Sequence, residues 1–391
     1  MAATNPLSFR KKILFSLLTV VISLSAVEIG LHVFDFLFSR VKKKDNKILA
    51  HYQDRSWAAT LARELTKPHI QKEYHQYLSW ITRPCQGQYV NMDRRYGRKT
   101  WNPPNLVDTT PAIFVFGGSA AWGSGARDDH TIPSHLSRLL NRDQGRFLVR
   151  NYAESAYTFT QGLFYLILKL REGYRPLYVI FYDGFNDLYG GYQSGKAGTV
   201  HNVESTREKL ESKPKRIYWK AVKKWLREHI YLYDKVIHKM YRHFHPEAKY
   251  HEAGAKLSDA ELQSLARDIV QYYAQSQQIL EHLAKAYEFK YACFWQPALY
   301  TETRVFPEET RTDVRLGDKK FGHLYRLANE HLAQQPMPHF HNLAEAVNSR
   351  TKACYIDLVH MTEDGYGLVA QKMFEIVQRD LPKFNKARQS N

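Results

Sequence analysis

Four consecutive apolar residues, Ile113-Phe-Val-Phe116, follow Pro111 and run into Gly117, Gly118, Ser119 and Gly123. A short apolar run bounded by turn residues suits a strand buried on both faces of a parallel sheet. The glycines after it permit a sharp turn. From Val107 to Gly191 the pattern keeps alternating. Thr131–Leu140 has helical spacing, Phe147–Tyr152 reads as a strand, Gln161–Arg171 as a helix and Leu177–Tyr182 as a second continuous apolar strand. The rhythm breaks over residues 192–256 and resumes at Ser258, where Ser258 and Glu261 form a capping box for a helix reaching about Tyr287. Phe289–Trp295 is the next strand, stopped at Pro297, and residues 301–318 are a charged loop. Phe321–Leu332 reads as a helix, His339–Leu343 as a short strand, and Cys354–His360 leads into a terminal helix, Thr362–Val377. Alternating strands and helices predict an α/β fold, with a parallel central sheet between helical layers.

The N-terminal part follows another pattern. Arg10, Lys11 and Lys12 precede an apolar run from Ile13 to Val27 that continues through Glu28 and His32 to Phe38. A span needs about twenty apolar residues, so the weaker second half must contribute. No small-residue cleavage site ends the run, which favours an uncleaved signal-anchor over a secreted precursor. Arg40, Lys42, Lys43, Lys44 and Lys47 flank the far end, so the positive-inside rule does not set the orientation. The chain therefore divides into a short tail (1–12), a transmembrane signal-anchor (13–38), a lead-in or linker (39–105), a first core part (106–191), an insertion (192–256) and a second core part (257–385). The lead-in is polar and aromatic, carries a helix over Trp57–Leu65, and ends at Asn102-Pro-Pro-Asn105.

Charge changes the reading of the insertion most. The 391-residue chain carries a formal net charge of +17, which suits acidic polysaccharide, anionic lipid or nucleic acid. Arg207–His245 is helical in pattern and rich in Lys and Arg, with Tyr218, Trp219, Trp225, Tyr231, Tyr233 and Tyr241 interleaved, and Pro214 divides it. Such a helix can lie on an anionic membrane. Charge runs are more often solvated faces, and that favours a lid helix whose aromatics pack on the domain. The anchor argues against nucleic acid as a partner. Cys85, Cys293 and Cys354 have no metal-ligand spacing and imply no disulfide framework.

Ser119, Asn186 and the pair Asp357/His360 all fall at the ends of predicted strands. In a parallel sheet those ends share one edge, where ligands bind. A serine needs a base to take its proton, imidazole does this near neutral pH, and a carboxylate commonly fixes the imidazole tautomer. Asp357 and His360 stand three apart, close enough to meet locally. Asn186 and backbone N–H groups can donate to an oxyanion. The glycine turn lacks the Lys-Ser/Thr of a phosphate loop, and Ala121 replaces the last glycine of a Gly-x-Ser-x-Gly elbow.

Together these blocks resemble the SGNH hydrolases, the GDSL esterase/lipase superfamily. Gly117-Gly-Ser119-Ala-Ala-Trp-Gly123 resembles the first block, Gly184-Phe-Asn186-Asp187 the third, and Asp357-Leu-Val-His360 the fifth. The resemblance covers residues 107–191 and 258–380. It implies a three-layer, flavodoxin-like α/β/α fold, with Ser119 as nucleophile, His360 as base and Asp357 as its orienting carboxylate. Asn186 and the N–H groups of Ser119 and Ala156 would form the oxyanion hole, and no cofactor or metal would be needed.

Two positions depart from the pattern. Gly118 stands where the family has aspartate, and Ala156 stands where the second block usually supplies a glycine. Alanine keeps the N–H, so the donor survives if the backbone there is allowed at negative φ. The implied activity is hydrolysis or transfer of an acyl ester. The substrate would be an O-acetyl group of a glycan outside the cytoplasm, which would place the catalytic domain there, or alternatively a lipid ester. A non-catalytic glycan- or membrane-binding module is the rival from another class.

Overall fold

The computed structural model describes residues 8–38, 47–52, 54–66, 68–142, 146–203, 207, 214–233, 240, 252–310 and 318–381. The chain forms two compact units, Met1–Asp45 with Glu204–His251, and Asn46–Val203 with Glu252–Asn391.

The larger unit begins with helix α1 (Ala58–Glu64), then a hairpin of β1 (Lys72–His75) and β2 (Ser79–Thr82), and two short strands, β3 (Met92–Asp93) and β4 (Gly97–Arg98). The alternating part follows: β5 (Ala112–Gly117), α2 (Ser119–Trp122), α3 (Ile132–Leu140), β6 (Leu148–Asn151), α4 (Phe159–Arg171), β7 (Tyr178–Asp183) and α5 (Phe185–Ser194). After the insertion come α6 (Asp259–Tyr287), β8 (Lys290–Trp295), α7 (Lys319–Gln334), β9 (Phe340–Asn342) and α8 (Glu363–Asp380). The main sheet has the order β3-β4-β6-β5-β7-β8-β9. β6, β5, β7, β8 and β9 are parallel, and β3 and β4 extend the β6 edge antiparallel.

The sheet is therefore mixed where a parallel one was expected, because residues of the lead-in join its edge. β3 and β4 carry no apolar run that would announce a strand; their pairing depends on the exposed edge of β6. The five parallel strands show a doubly wound order in which the second strand lies to one side of the first and the later strands to the other. The right-handed crossover rule then puts the helix after β5 on one face and the following helices on the opposite face. Packing agrees, since α3 pairs with α8 while α6 packs with α4, α5 and α7. Phe114, Phe116, Tyr152, Phe159 and Phe181 join at ring contacts of 4.6–5.7 Å to fill the core around β5 and β7.

One helix boundary moves for a local reason. α4 begins at Phe159, not Gln161, because Thr158 and Gln161 form a capping box in which the Thr158 N–H donates to the Gln161 side chain at 3.3 Å. Cys354–His360 is an irregular segment closed by a single bridge between Tyr355 and Met361, not a strand.

In the smaller unit a helix covers Phe9–Phe38, of which Phe9–Val33, 25 residues, is long and apolar enough to cross a membrane. At 1.5 Å per residue it rises about 37 Å, against roughly 30 Å of hydrocarbon. The basic stretch forms a helix over Pro214–His229, with Pro214 at its first position. Of the remainder of the predicted helix toward His245, residues 234–239 and 241–245 lie outside the described residues.

Candidate active site

The doubly wound order reverses between β5 and β7, and at such a switch point two chain segments leave the sheet in opposite directions and open a crevice. Ser119 follows β5 directly and Asn186 follows β7. Gly117 and Gly123 bracket the Ser119 turn with φ of +150° and +99°, the left-handed region that favours glycine. Gly118 is required by close approach instead. A Cβ there would lie 2.2 Å from Asn186 Nδ2 and 3.3 Å from the Tyr157 carbonyl oxygen. The space an aspartate would need is thus taken by the Asn186 amide.

His360 arrives from the loop before α8, and its Nε2 lies 2.6 Å from Ser119 Oγ, within hydrogen-bond distance. Its Nδ1 donates to Asp357, at 2.8 and 2.9 Å from the two carboxylate oxygens. The backbone N–H groups of Val359 and His360 also donate to Asp357 Oδ1, at 3.1 and 2.9 Å. This is the turn an Asp side chain makes with its own following backbone. Burial pushes the Asp357 carboxyl up, but the His360 charge and these four bonds outweigh it and hold the group well below the usual carboxylate range. Asp357 therefore stays ionised and holds the imidazole through Nδ1, with Nε2 turned to Ser119.

Asn186 is buried, and its Nδ2 donates to the Tyr157 carbonyl at 2.8 Å. A primary amide carries two N–H groups, so one remains for another acceptor. Ala156, in the same loop, has φ +70°. The condition of negative φ is not met: the position takes a left-handed conformation that favours glycine, occupied here by a residue with a Cβ. Behind Asn186 lie Asp183 and Asp187. The Asp187 carboxylate accepts N–H bonds from Phe159 and Gly184 at 3.1 and 3.3 Å, whereas neither carboxyl oxygen of Asp183 has a partner among the described residues. Burial, then the neighbouring Asp187 charge, pushes Asp183 well above the ordinary range.

Sequence reasoning missed the residues that brace these parts. Arg98, on β4, is fully buried and pairs with Asp128 at 3.0 Å. It donates to the carbonyls of Trp122, Gly123 and Ala126 at 2.7–2.8 Å, clamping the far side of the Ser119 turn. The β1–β2 hairpin holds the Glu154–Tyr157 loop. Lys72 Nζ and Trp80 Nε1 donate to the Ser155 carbonyl at 2.9 and 3.1 Å, and the Tyr157 hydroxyl donates to the Trp80 carbonyl. Glu154 accepts from the Thr82 N–H at 3.0 Å and meets the Thr82 hydroxyl at 2.6 Å. Burial pushes the Glu154 carboxyl up to about 7, against the Thr82 bonds and Lys72.

No protein-family model and no curated protein matches the sequence. Among solved structures the chain is similar to an acetyl xylan esterase, AlAXEase, with 12% identity over 68% of this chain and 99% of that one, at a TM-score of 0.36. It is similar also to a member of the lipolytic protein G-D-S-L family from Veillonella parvula, with 12% identity, coverage of 68% and 98%, and a TM-score of 0.36. A lipase/acylhydrolase from Enterococcus faecalis aligns with 13% identity, coverage of 70% and 99%, and a TM-score of 0.35.

Proposed function

We propose that the chain is a serine ester hydrolase or acyltransferase of the SGNH type, held at a membrane by its apolar N-terminal helix. The observation that carries this is the continuous hydrogen-bonded line from Ser119 Oγ through His360 to Asp357. Ser119 attacks the ester carbonyl carbon and passes its proton to His360 Nε2. The tetrahedral oxyanion is met by Asn186 Nδ2 and the N–H groups of Ser119 and Ala156. Collapse expels the alcohol, which takes the proton back from His360. Water or an acceptor hydroxyl, deprotonated by the same imidazole, then releases the acyl group and restores Ser119.

The substrate we assign is an O-acetyl ester on an acidic glycan outside the cytoplasm, which the charge of +17 favours. The test uses the full chain in detergent with p-nitrophenyl acetate and longer acyl esters, beside Ser119→Ala and His360→Ala. Each variant is expected to lose at least about 10⁴-fold in kcat. Wild-type chain with no turnover and no labelling of Ser119 by an organophosphonate would sink the reading and leave the binding module.

A further inference from the structure

Glu28 lies inside the apolar span Phe9–Val33, where a carboxylate is costly and needs a partner. It has one from the insertion. The backbone N–H groups of Tyr231 and Leu232 both donate to its carboxylate, the latter at 2.8 Å. His32, one turn further on, meets the same carboxylate at 3.2 Å and sets its ring 5.1 Å from that of Tyr231. Tyr231 and Leu232 follow the Pro214–His229 helix after the single residue Ile230. That helix is therefore tied, within the same compact unit, to the segment that would enter the bilayer. Glu28 stands five residues before Val33, the end of the span, or about 8 Å along the helix axis. With roughly 30 Å of hydrocarbon centred on the span, Glu28 falls about 4 Å inside its edge, next to the headgroups.

The side chains displayed there suit that depth. The sequence Pro-Lys-Arg-Ile-Tyr-Trp-Lys-Ala-Val-Lys-Lys-Trp-Leu-Arg-Glu-His holds six Lys or Arg against one Glu. Tyr218, Trp219 and Trp225 are 63%, 54% and 54% exposed, and Lys223, Lys224 and Arg227 are exposed beside them. Trp and Tyr partition to the headgroup region, and clustered Lys and Arg are attracted by anionic lipid. A solvated lid would account for the charge but not for exposed indoles on a helix whose C-terminal end is bonded to the anchor.

We propose that the Pro214–His229 helix lies on an anionic lipid leaflet, with Tyr218, Trp219 and Trp225 at headgroup level and Glu28 fastening it at the edge of the bilayer. This rests on the anchor reading of the N-terminal helix. The test places the full chain in nanodiscs of phosphatidylcholine alone or mixed with phosphatidylglycerol, and measures tryptophan quenching by headgroup-proximal doxyl lipid. We expect quenching severalfold stronger in the anionic discs, lost in Trp219→Phe/Trp225→Phe and reduced to the neutral-disc value in Lys223→Gln/Lys224→Gln/Arg227→Gln. Glu28→Ala is expected to weaken it as well. Quenching indifferent to the two tryptophans, or equal in both lipids, would overturn the proposal while leaving the anchor. Release of the full chain from membranes by alkaline carbonate would overturn both.

Discussion

The Ser119 turn and the Glu154–Tyr157 loop meet across one bond, Glu154 N–H to the Gly117 carbonyl at 3.0 Å, yet they are held by different means. The turn takes its shape mainly from its own sequence: β5 ends, Gly117 and Gly123 reverse the backbone, and Gly118 leaves room for Asn186. Arg98 only clamps a conformation the glycines already favour. The loop has one internal bond, Tyr157 N–H to the Glu154 carbonyl at 3.2 Å, and is otherwise held from outside. Its Ala156 stands at φ +70°, its Ser155 carbonyl accepts from Lys72 and Trp80, and its one carboxyl accepts from Thr82, all more than seventy residues earlier in the chain. A site assembled from one self-shaping turn and one externally braced loop should respond differently to changes on its two sides.

The largest expected effect falls on the turn side. Asp357→Asn keeps the shape but loses the acceptor that fixes the imidazole tautomer, and kcat on p-nitrophenyl acetate should drop about 10⁴-fold with folding unchanged by near-ultraviolet circular dichroism. Retained activity would mean that the turn presents Ser119 to some other base. Gly118→Asp comes next and strikes the junction of the two regions. It restores the aspartate of the resembled motif, yet its Cβ must displace Asn186 Nδ2 from 2.2 Å. A lost oxyanion donor costs about 10²–10³ in kcat, so this substitution toward the family pattern should be damaging. Full activity would show that Asn186 moves freely and that the two regions are not coupled through it.

The third effect is confined to the loop. With the Glu154 carboxyl pushed up to about 7 by burial, the folded chain holds a proton that the unfolded chain gives up near 4.5. The group's contribution to stability is complete below about pH 4.5 and declines as pH rises to about 7, then stays level. At about 1.4 kcal/mol per unit the loss is on the order of 3 kcal/mol. Glu154→Gln is always neutral and can keep both Thr82 bonds. It should match the wild type at pH 4 and exceed it at pH 8, measured by thermal unfolding of the full chain in detergent. Identical pH profiles would remove the idea that the hairpin braces the loop through a protonated carboxyl.

The same contrast explains what could be read from the sequence. The β5 run, the glycines, Asn186 and the Asp357/His360 spacing are local patterns, and each reaches its place by local rules: strand, turn, Asx-type turn. The bracing of the loop is not local. Thr82 and Glu154 are 72 residues apart, and nothing in the alternation of either segment marks them as a pair. Residues 39–105 looked like a lead-in because β3 and β4 are two residues each, too short for any period to register. Their strand character comes from the free edge of β6. The Thr158–Gln161 capping box was legible by spacing and would have set the start of α4 correctly.

The smallest effect concerns Ala156 itself. A non-glycine residue in the left-handed region costs roughly 1–2 kcal/mol, whereas glycine there pays instead through the greater freedom of its unfolded chain, about 0.5–1 kcal/mol. Ala156→Gly should therefore stabilise the chain by roughly 0.5–1 kcal/mol, read as a higher thermal midpoint, and leave kcat unchanged. The second half of that expectation is the informative one. The φ of +70° already matches what a glycine would adopt, so the N–H points the same way with either residue, and the hairpin bonds to Ser155 and Tyr157 set the direction. A large rise in kcat would mean that the Cβ had been holding the loop away from its working geometry and that the brace is weaker than its hydrogen bonds imply. A large fall would mean that alanine's stiffness, not the hairpin, keeps the N–H aimed, and the loop would then belong with the self-shaping turn.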